Sequence, residues 1–163
     1  MRIAQIASAA FNMEVVAWDR AANTYDTNNG FERLSLDELL ETSDVVSIHL
    51  RLSKESTGLM NKERLEKMKA GAILINTSRG AIVDENALVE VLTKGTLAGA
   101  GLDVFAQEPL AIDSPLRKLD NVILTRHIGW TVEEVFEEFA QIACTQLIEY
   151  LNGTLAKSEL LSN

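Results

Sequence analysis

The sequence predicts an α/β fold in which helices cover both faces of a mainly parallel sheet. Short apolar runs, typical of buried strands, alternate along the chain with segments whose apolar residues recur at helical spacing. Strands that alternate with helices form βαβ units, and these units build parallel sheets. The residues best suited to carry chemistry follow the predicted strands, which is where open parallel sheets bind ligands.

Five apolar runs predict the strands of this sheet. They span residues 15–18, 45–48, 72–75, 98–104 and 122–124. The first ends at Asp19, and the fourth is rich in glycine. Because each run is short and apolar, we expect buried strands.

Five segments of helical period, several with a capping residue at the start, predict the helices. They span residues 1–11, from 35 onward, 61–71, 84–95 and 131–152. Ser35 with Glu38, and Thr131 with Glu134, have the spacing of a capping box. We expect one domain over residues 1–153 and a loosely ordered tail over 154–163. We expect the apolar stripe of the last helix to be core: Val135, Phe136, Phe139, Ile142, Ala143, Leu147, Tyr150 and Leu151.

The charge of the chain argues against two classes of partner. The 163 residues carry 24 acidic and 15 basic side chains, a formal net charge of -9. Such a surface repels phosphate backbones and anionic lipid headgroups. We therefore expect neither nucleic acid nor a membrane surface as a partner.

Cysteine use and hydropathy bear on location. The one cysteine, Cys144, cannot form an internal disulfide, and its apolar neighbours predict a buried, reduced thiol. No apolar stretch is long enough to span a membrane, and no secretory signal is recognisable. A cytoplasmic location follows by default, and no metal site is predicted.

Asp19 is the first candidate for cofactor binding. In a dinucleotide-binding fold, an acidic residue at the end of such a strand accepts hydrogen bonds from the ribose hydroxyls, which favours NAD over NADP. The alternative is a simple turn residue. The neighbouring Arg20 keeps NADP open as the cofactor.

Three further residues form a candidate hydride-transfer site. Arg79 could hold a carboxylate in a bidentate fork. His127 suits acid and base work near neutral pH, and Glu108 could orient its ring. Singly, these residues have structural alternatives, namely a turn arginine and a hydrogen-bonded histidine. Together, after successive strands, they predict that Arg79 orients a 2-keto or 2-hydroxy acid while His127 moves the hydroxyl proton.

Four motifs make a family resemblance specific. They are residues 44–50 (DVVSIHL), 75–80 (INTSRG), 101–105 (GLDVF) and 125–129 (TRHIG). In order and spacing the chain resembles the D-isomer-specific 2-hydroxyacid dehydrogenases from Met1 to about Gly153. The resemblance implies a Rossmann-like NAD-binding domain of an oxidoreductase that acts on the CH–OH group of 2-hydroxy acids, and a homodimer.

The resemblance also assigns roles to residues. It implies Arg79 as the substrate anchor, His127 as the acid/base and Glu108 as its partner. A glutamate at position 108 argues against the formate dehydrogenase branch, which carries glutamine there. Asp103, with the backbone near Thr77, would face the nicotinamide carboxamide. The expected cofactor-binding residues are Arg2, Ile3, Asp19, His49, Leu50, Thr77, Ser78, Asp103 and Gly129.

The chain departs from the family pattern at its start. Residues 1–4 resemble the end of the G-x-G-x-x-G/A phosphate turn, so the first glycine, the preceding strand and the N-terminal part of the substrate lobe are missing. That strand is central in the usual order. We expect either direct pairing of its two neighbours or association with another chain. We also expect this chain alone to bind NAD weakly and to transfer hydride slowly or not at all.

Other departures leave alternatives open. Arg51 and Arg126 replace prolines common in the family, and Trp130 stands where glycine or another aromatic residue is frequent. The C-terminal-binding-protein corepressors resemble the same family and use the fold as a nicotinamide-sensing interaction module. An inactive gene fragment is the third interpretation.

Overall fold

The computed structural model describes residues 2–19 and 31–155. By their contacts the residues divide into two compact units, Met1–Arg126 and His127–Asn163. The first unit holds all of the described strands, and the second holds the last helix. A single domain over residues 1–153 stays a prediction.

The first unit alternates helices and strands as the sequence predicts. Its helices are α1 (Arg2–Phe11), α2 (Leu36–Thr42), α3 (Lys62–Lys67) and α4 (Glu85–Thr93). Its strands are β1 (Val16–Ala17), β2 (Glu32–Arg33), β3 (Val45–Ile48), β4 (Ile73–Asn76), β5 (Gly99–Leu102) and β6 (Val122–Leu124). Short 3₁₀ turns cover Gly80–Ile82 and Pro115–Lys118. The second unit contains α5 (Glu133–Leu151).

All described strand pairs are parallel, which confirms the Rossmann-like α/β fold. Strands β3, β4, β5 and β6 form one sheet in that order, and β1 pairs with β2 in a separate sheet. Strand β2 was not predicted because its two residues carry no apolar run. In the described residues β1 does not pair with β3, so the expectation of direct closure between them is wrong. Association with another chain stays a prediction.

The core lies on one face of the four-stranded sheet. Along β3, Val46 and Ile48 are buried while Val45 and Ser47 are exposed, the alternation expected for a strand with one covered face. The buried side chains of the strands pack with those of α2, α3 and α4 in one cluster. On the opposite face Ile123 is 74% exposed. Helices α2 to α4 and this face of the sheet therefore form the packed core that holds the strand ends of the site in place.

Capping explains where several helices begin. The predicted box of Ser35 and Glu38 is present, with both of its hydrogen bonds formed. Asn61 and Asp84 cap α3 and α4 as predicted. Helix α3 ends at Lys67, earlier than Gly71, because Met68 is already extended (ψ 144°).

The second capping box, by contrast, does not form. Val132 is the N-cap of α5, and it makes no side-chain capping bond. The Thr131 hydroxyl instead donates to the Ile128 carbonyl at 2.6 Å, so it is already engaged on the preceding turn. The prediction that Thr131 and Glu134 start this helix is therefore wrong.

Helix α5 is largely exposed. None of its residues is buried, so the expectation that its apolar stripe is core is wrong, and Cys144 is exposed rather than buried. The physical reason is that the described part of this unit has no second element to cover the stripe. Within residues 2–19 and 31–155, no helix is both long and apolar enough to cross a membrane.

Candidate active site

The parallel register brings the ends of four strands to one edge. Ile48 lies opposite Asn76, Asn76 opposite Leu102, and Leu102 opposite Leu124. The residues that follow these positions therefore emerge side by side at the carboxyl edge of the sheet, where parallel sheets bind ligands. They are His49, Thr77, Asp103 and Thr125. Three of the four were predicted as cofactor-binding residues.

A buried amide shapes the loop that carries Arg79. The Asn76 side chain is 1% exposed. Its Oδ1 accepts from the Ser78 amide at 3.1 Å, and its Nδ2 donates to the Arg79 carbonyl at 3.0 Å. Both polar groups are thus satisfied inside the loop, as burial requires. The loop holds Arg79 at the strand end while its guanidinium Nη1 donates to the Ser78 carbonyl at 2.7 Å.

Gly80 brings the Arg79 loop against the loop that carries Glu108. A Cβ on Gly80 would collide with the backbone of Phe105 and Ala106. Only glycine permits so close an approach of two backbones. The structure therefore places the Arg79 and Glu108 loops next to each other within the first unit.

The Glu108 loop is held by two carboxylates. Glu108 Oε1 accepts from the Phe105 amide at 3.0 Å, and Glu85 Oε2 accepts from the Ala106 amide at 2.5 Å. Glu108 is exposed and is followed by a cis peptide bond to Pro109. Glu85 is a support of this loop that sequence reasoning did not single out.

Hydrogen bonds hold Asp103 at the middle of the carboxyl edge of the sheet. Its side chain is 5% exposed, and its carboxylate accepts a hydrogen bond from the Thr125 hydroxyl. Its amide donates to the Asn76 carbonyl at 3.0 Å. Asp103 is therefore a rigid acceptor between the ends of β4 and β6.

His49 is an exposed residue whose ring is in part shielded from water. Its Nε2 lies 2.9 Å from the Ser47 hydroxyl. Burial lowers the pKa of the imidazole below its usual 6.5, because desolvation disfavours the charged form. Leu50, the next residue along this edge, is half-buried.

A cation not anticipated from the sequence accompanies Asp19. Arg33 Nη1 donates to Asp19 Oδ2 at 2.5 Å, a pair formed because β2 lies beside β1. Arg20 lies outside the described residues. No motif marked Arg33, since the strand that carries it was not recognised.

His127 belongs to the second unit and has an unusual backbone. Its φ of 57° lies in the left-handed region, which costs a non-glycine residue energy and is concentrated at functional sites. Its carbonyl accepts from Trp130 Nε1 at 3.0 Å, and the Trp130 ring packs on Phe136 at a centroid distance of 5.1 Å. Gly129 lies in the same exposed turn. Because Glu108 belongs to the first unit, its pairing with His127 stays a prediction.

Comparison with a model of a known protein family shows which family the chain belongs to. The family model of the D-isomer-specific 2-hydroxyacid dehydrogenase NAD-binding domain matches residues 1–129. The chain belongs to this 2-hydroxyacid dehydrogenase family. The matched part carries the strand ends, Arg79, Glu108 and His127.

Individual members of the 2-hydroxyacid dehydrogenase family are about twice as long as this chain. A glyoxylate reductase of Thermofilum pendens is 45% identical over 149 residues, which are 90% of this chain and 44% of that protein. The structure of D-lactate dehydrogenase from Aquifex aeolicus, complexed with NAD and lactic acid, is 34% identical with a TM-score of 0.80. That match covers 90% of this chain and 48% of the other. The chain thus spans about half the length of these relatives.

A second similar structure is that of an acyclic imino acid reductase in complex with NADPH and D-Arg. It is 30% identical, has a TM-score of 0.84, and matches 94% of this chain and 48% of its own. Structures similar to this one therefore contain either form of the dinucleotide.

The residues present fit NAD, the cofactor of the family's domain. The first turn of α1 has no acidic side chain, and it begins with Arg2 and Ile3, both exposed. Unpaired amides and a positive dipole end there suit a pyrophosphate. Asp19 offers a carboxylate for ribose hydroxyls, and Asp103 offers a fixed acceptor for the carboxamide. Met1 lies outside the described residues.

Replacing Asn76 by Leu tests how the Arg79 loop is held. We expect the free energy of unfolding to fall by about 2 kcal/mol, because the Ser78 amide and the Arg79 carbonyl each lose a buried partner. Urea titration measures this loss, and hydrogen exchange at the Ser78 amide should quicken. Asn86→Leu, on the exposed side of α4, is the matched control. Equal stability of the two variants would show that Asn76 does not hold the loop.

Proposed function

We propose that this chain forms the cofactor side of an NAD-dependent oxidoreductase that reduces 2-keto acids to 2-hydroxy acids. The observation that carries the proposal is the loop built on buried Asn76, which holds Arg79 at the carboxyl edge of the sheet, the edge at which Asp103 also lies. A guanidinium fixed beside a dinucleotide site suits a small carboxylate, which it can bind in bidentate fashion.

The proposed roles follow from the chemistry of the side chains. Arg79 binds the carboxylate and so orients the neighbouring carbonyl. His127 donates a proton to the carbonyl oxygen as it becomes a hydroxyl, and Glu108 orients the imidazole. NADH, when bound, supplies the hydride that reaches the carbonyl carbon. The substrate thereby gains a hydride on carbon and a proton on oxygen, which balances the reduction.

The proposal extends to the cellular location and the oligomeric state of the protein. We infer a cytoplasmic location, supported by a single cysteine that cannot form an internal disulfide. We also infer a homodimer. The exposed apolar stripe of α5, with Phe139 at 56% and Leu147 at 58% exposure, supports it because large apolar patches are usually covered by a partner. Sedimentation of the purified chain tests the dimer.

The cofactor preference is tested by titrating the folded chain with NADH and NADPH. We expect NADH to bind more tightly, because Asp19 repels a 2′-phosphate and accepts from the ribose hydroxyls. The Asp19→Ser variant should lose about fivefold of this preference, a modest effect because the carboxylate is partly exposed and paired with Arg33. Asp113→Ser removes the same charge at another exposed site and serves as control. A folded chain that binds neither dinucleotide would contradict the proposed function.

A further inference from the structure

A second arginine shares a cleft with Arg79. The cleft has a volume of about 310 Å³ and is lined by Leu50, Arg51, Leu52, Ser78 and Arg79. Its two walls are the loops that follow β3 and β4, which are neighbours in the sheet. The cleft therefore opens at the carboxyl edge, on the same side as the residues assigned to the cofactor.

The backbone of Arg51 is fixed by a buried hydroxyl. Ser56 is 0% exposed, and its Oγ donates to the Arg51 carbonyl at 2.8 Å. The same Oγ accepts from the Ser53 amide at 2.8 Å, which closes the loop on itself. Asn76 performs the same task for the opposite wall. Both arginines thus project from loops that buried polar groups hold in place, as a binding site requires.

The two arginines lack the ion pairs that three lysines of the same unit form. Lys62, Lys67 and Lys69 each form an ion pair with a carboxylate at 2.6 Å. Neither Arg51 nor Arg79 is paired with a carboxylate in the described part of the chain, and the Arg51 guanidinium makes no hydrogen bond there. In a protein of net charge -9, the cleft is a local site of positive charge.

We propose that Arg51 binds a second anionic group, a carboxylate or a phosphate, of the molecule whose first carboxylate binds Arg79. A monocarboxylic acid occupies one guanidinium and leaves the other without an anion. A 2-keto acid with a second acidic group satisfies both forks at once. The proposal rests on the proposed function, since Arg79 is taken there as the ligand of the keto acid.

An anionic group at Arg51 has one competing source, the 2′-phosphate of NADP. Arg51 shares its cleft with Arg79, which supports the substrate, while Leu50 and Ser78 of the same lining are assigned to the cofactor. Asp19, which is assigned to the adenosine ribose, follows β1 of the other sheet. The two sources predict different results for one variant, Arg51→Gln.

The test compares two acids of equal chain length, 2-oxoglutarate and 2-oxopentanoate, which differ by one carboxylate. Their dissociation constants are measured from the arginine side-chain NMR signals of the ¹⁵N-labelled 163-residue chain. We expect 2-oxoglutarate to bind about fivefold more tightly, a modest factor because Arg51 is exposed. Arg51→Gln should abolish this preference without changing the affinity for 2-oxopentanoate. Lys54→Gln, which removes the same charge from the same loop outside the cleft lining, should keep it.

The outcomes separate this inference from the proposed function. Equal affinity of the parent chain for the two acids, or a preference that survives in Arg51→Gln, overturns the role of Arg51. A change in the NADPH to NADH affinity ratio of Arg51→Gln, with no change for the acids, overturns the substrate assignment and gives Arg51 to the cofactor phosphate. Binding of NADH and NADPH is measured on the same samples. If neither dinucleotide binds but the Arg51-dependent preference remains, the proposed function fails and the anion site stands.

Discussion

Gly80→Ala is expected to destabilise the first unit by about 3 kcal/mol or more, a large effect for the addition of a single methyl group. The added Cβ would collide with the backbone of Phe105 and Ala106, and backbone cannot move aside as a flexible side chain can. The Arg79 loop and the Glu108 loop must then separate. Urea titration followed by circular dichroism measures the loss of stability.

Gly95→Ala is the control for this substitution. Gly95 has a φ of 71° and open space around its missing Cβ, so alanine there meets only the left-handed backbone penalty of about 1–2 kcal/mol. If Gly80→Ala proves no more destabilising than Gly95→Ala, the two loops are not in the close contact that the structure shows.

His127→Gln is expected to slow hydride transfer by about a hundred- to ten-thousand-fold, the range typical for loss of a general acid. Glutamine keeps a polar side chain of similar reach but cannot deliver a proton. The affinity for NADH should stay unchanged, because the substitution leaves the groups assigned to the ribose and the phosphates, Asp19 and the first turn of α1, in place. Single-turnover rates with excess chain over NADH measure the effect.

Measuring the rate of hydride transfer and the affinity for NADH separately distinguishes a loss of chemistry from a loss of cofactor binding. Asp19→Ser should weaken dinucleotide binding, whereas His127→Gln should not. If the His127→Gln variant reduces 2-keto acids at the parent rate, His127 is not the proton donor. The assignment of the dinucleotide site would not be affected by that result.

The local signals of the sequence were sufficient for most of the first unit. The Ser35 box, the Asn61 and Asp84 caps and the apolar runs of β3 to β6 act within a few residues, so they can be recognised without the fold. Strand β2 escaped recognition because a two-residue strand is defined by its partner β1 and not by its own composition. The exposure of α5 was missed because an apolar stripe indicates a partner without saying where that partner is.

The candidate site shows the same difference between residues that local sequence signals identify and residues whose role depends on the fold. Arg79, Glu108 and Asp103 could be selected because they follow strands and match family motifs. Asn76 and Ser56 could not, since their importance comes from burial and from the groups they satisfy, which only the fold reveals. Arg33 beside Asp19, and the contact of Gly80 with Phe105, likewise depend on which segments the fold brings together.

Deuteride transfer from [4,4-²H₂]NADH to a 2-keto acid tests the central claim most directly. The purified chain is incubated for hours with labelled NADH and either pyruvate, hydroxypyruvate or glyoxylate, and the product is analysed by mass spectrometry. The account predicts slow formation of a 2-hydroxy acid that carries one deuterium on its second carbon, with the label lost in both His127→Gln and Arg79→Gln. Unlabelled product, or equal labelling by the parent chain and both variants, would contradict it.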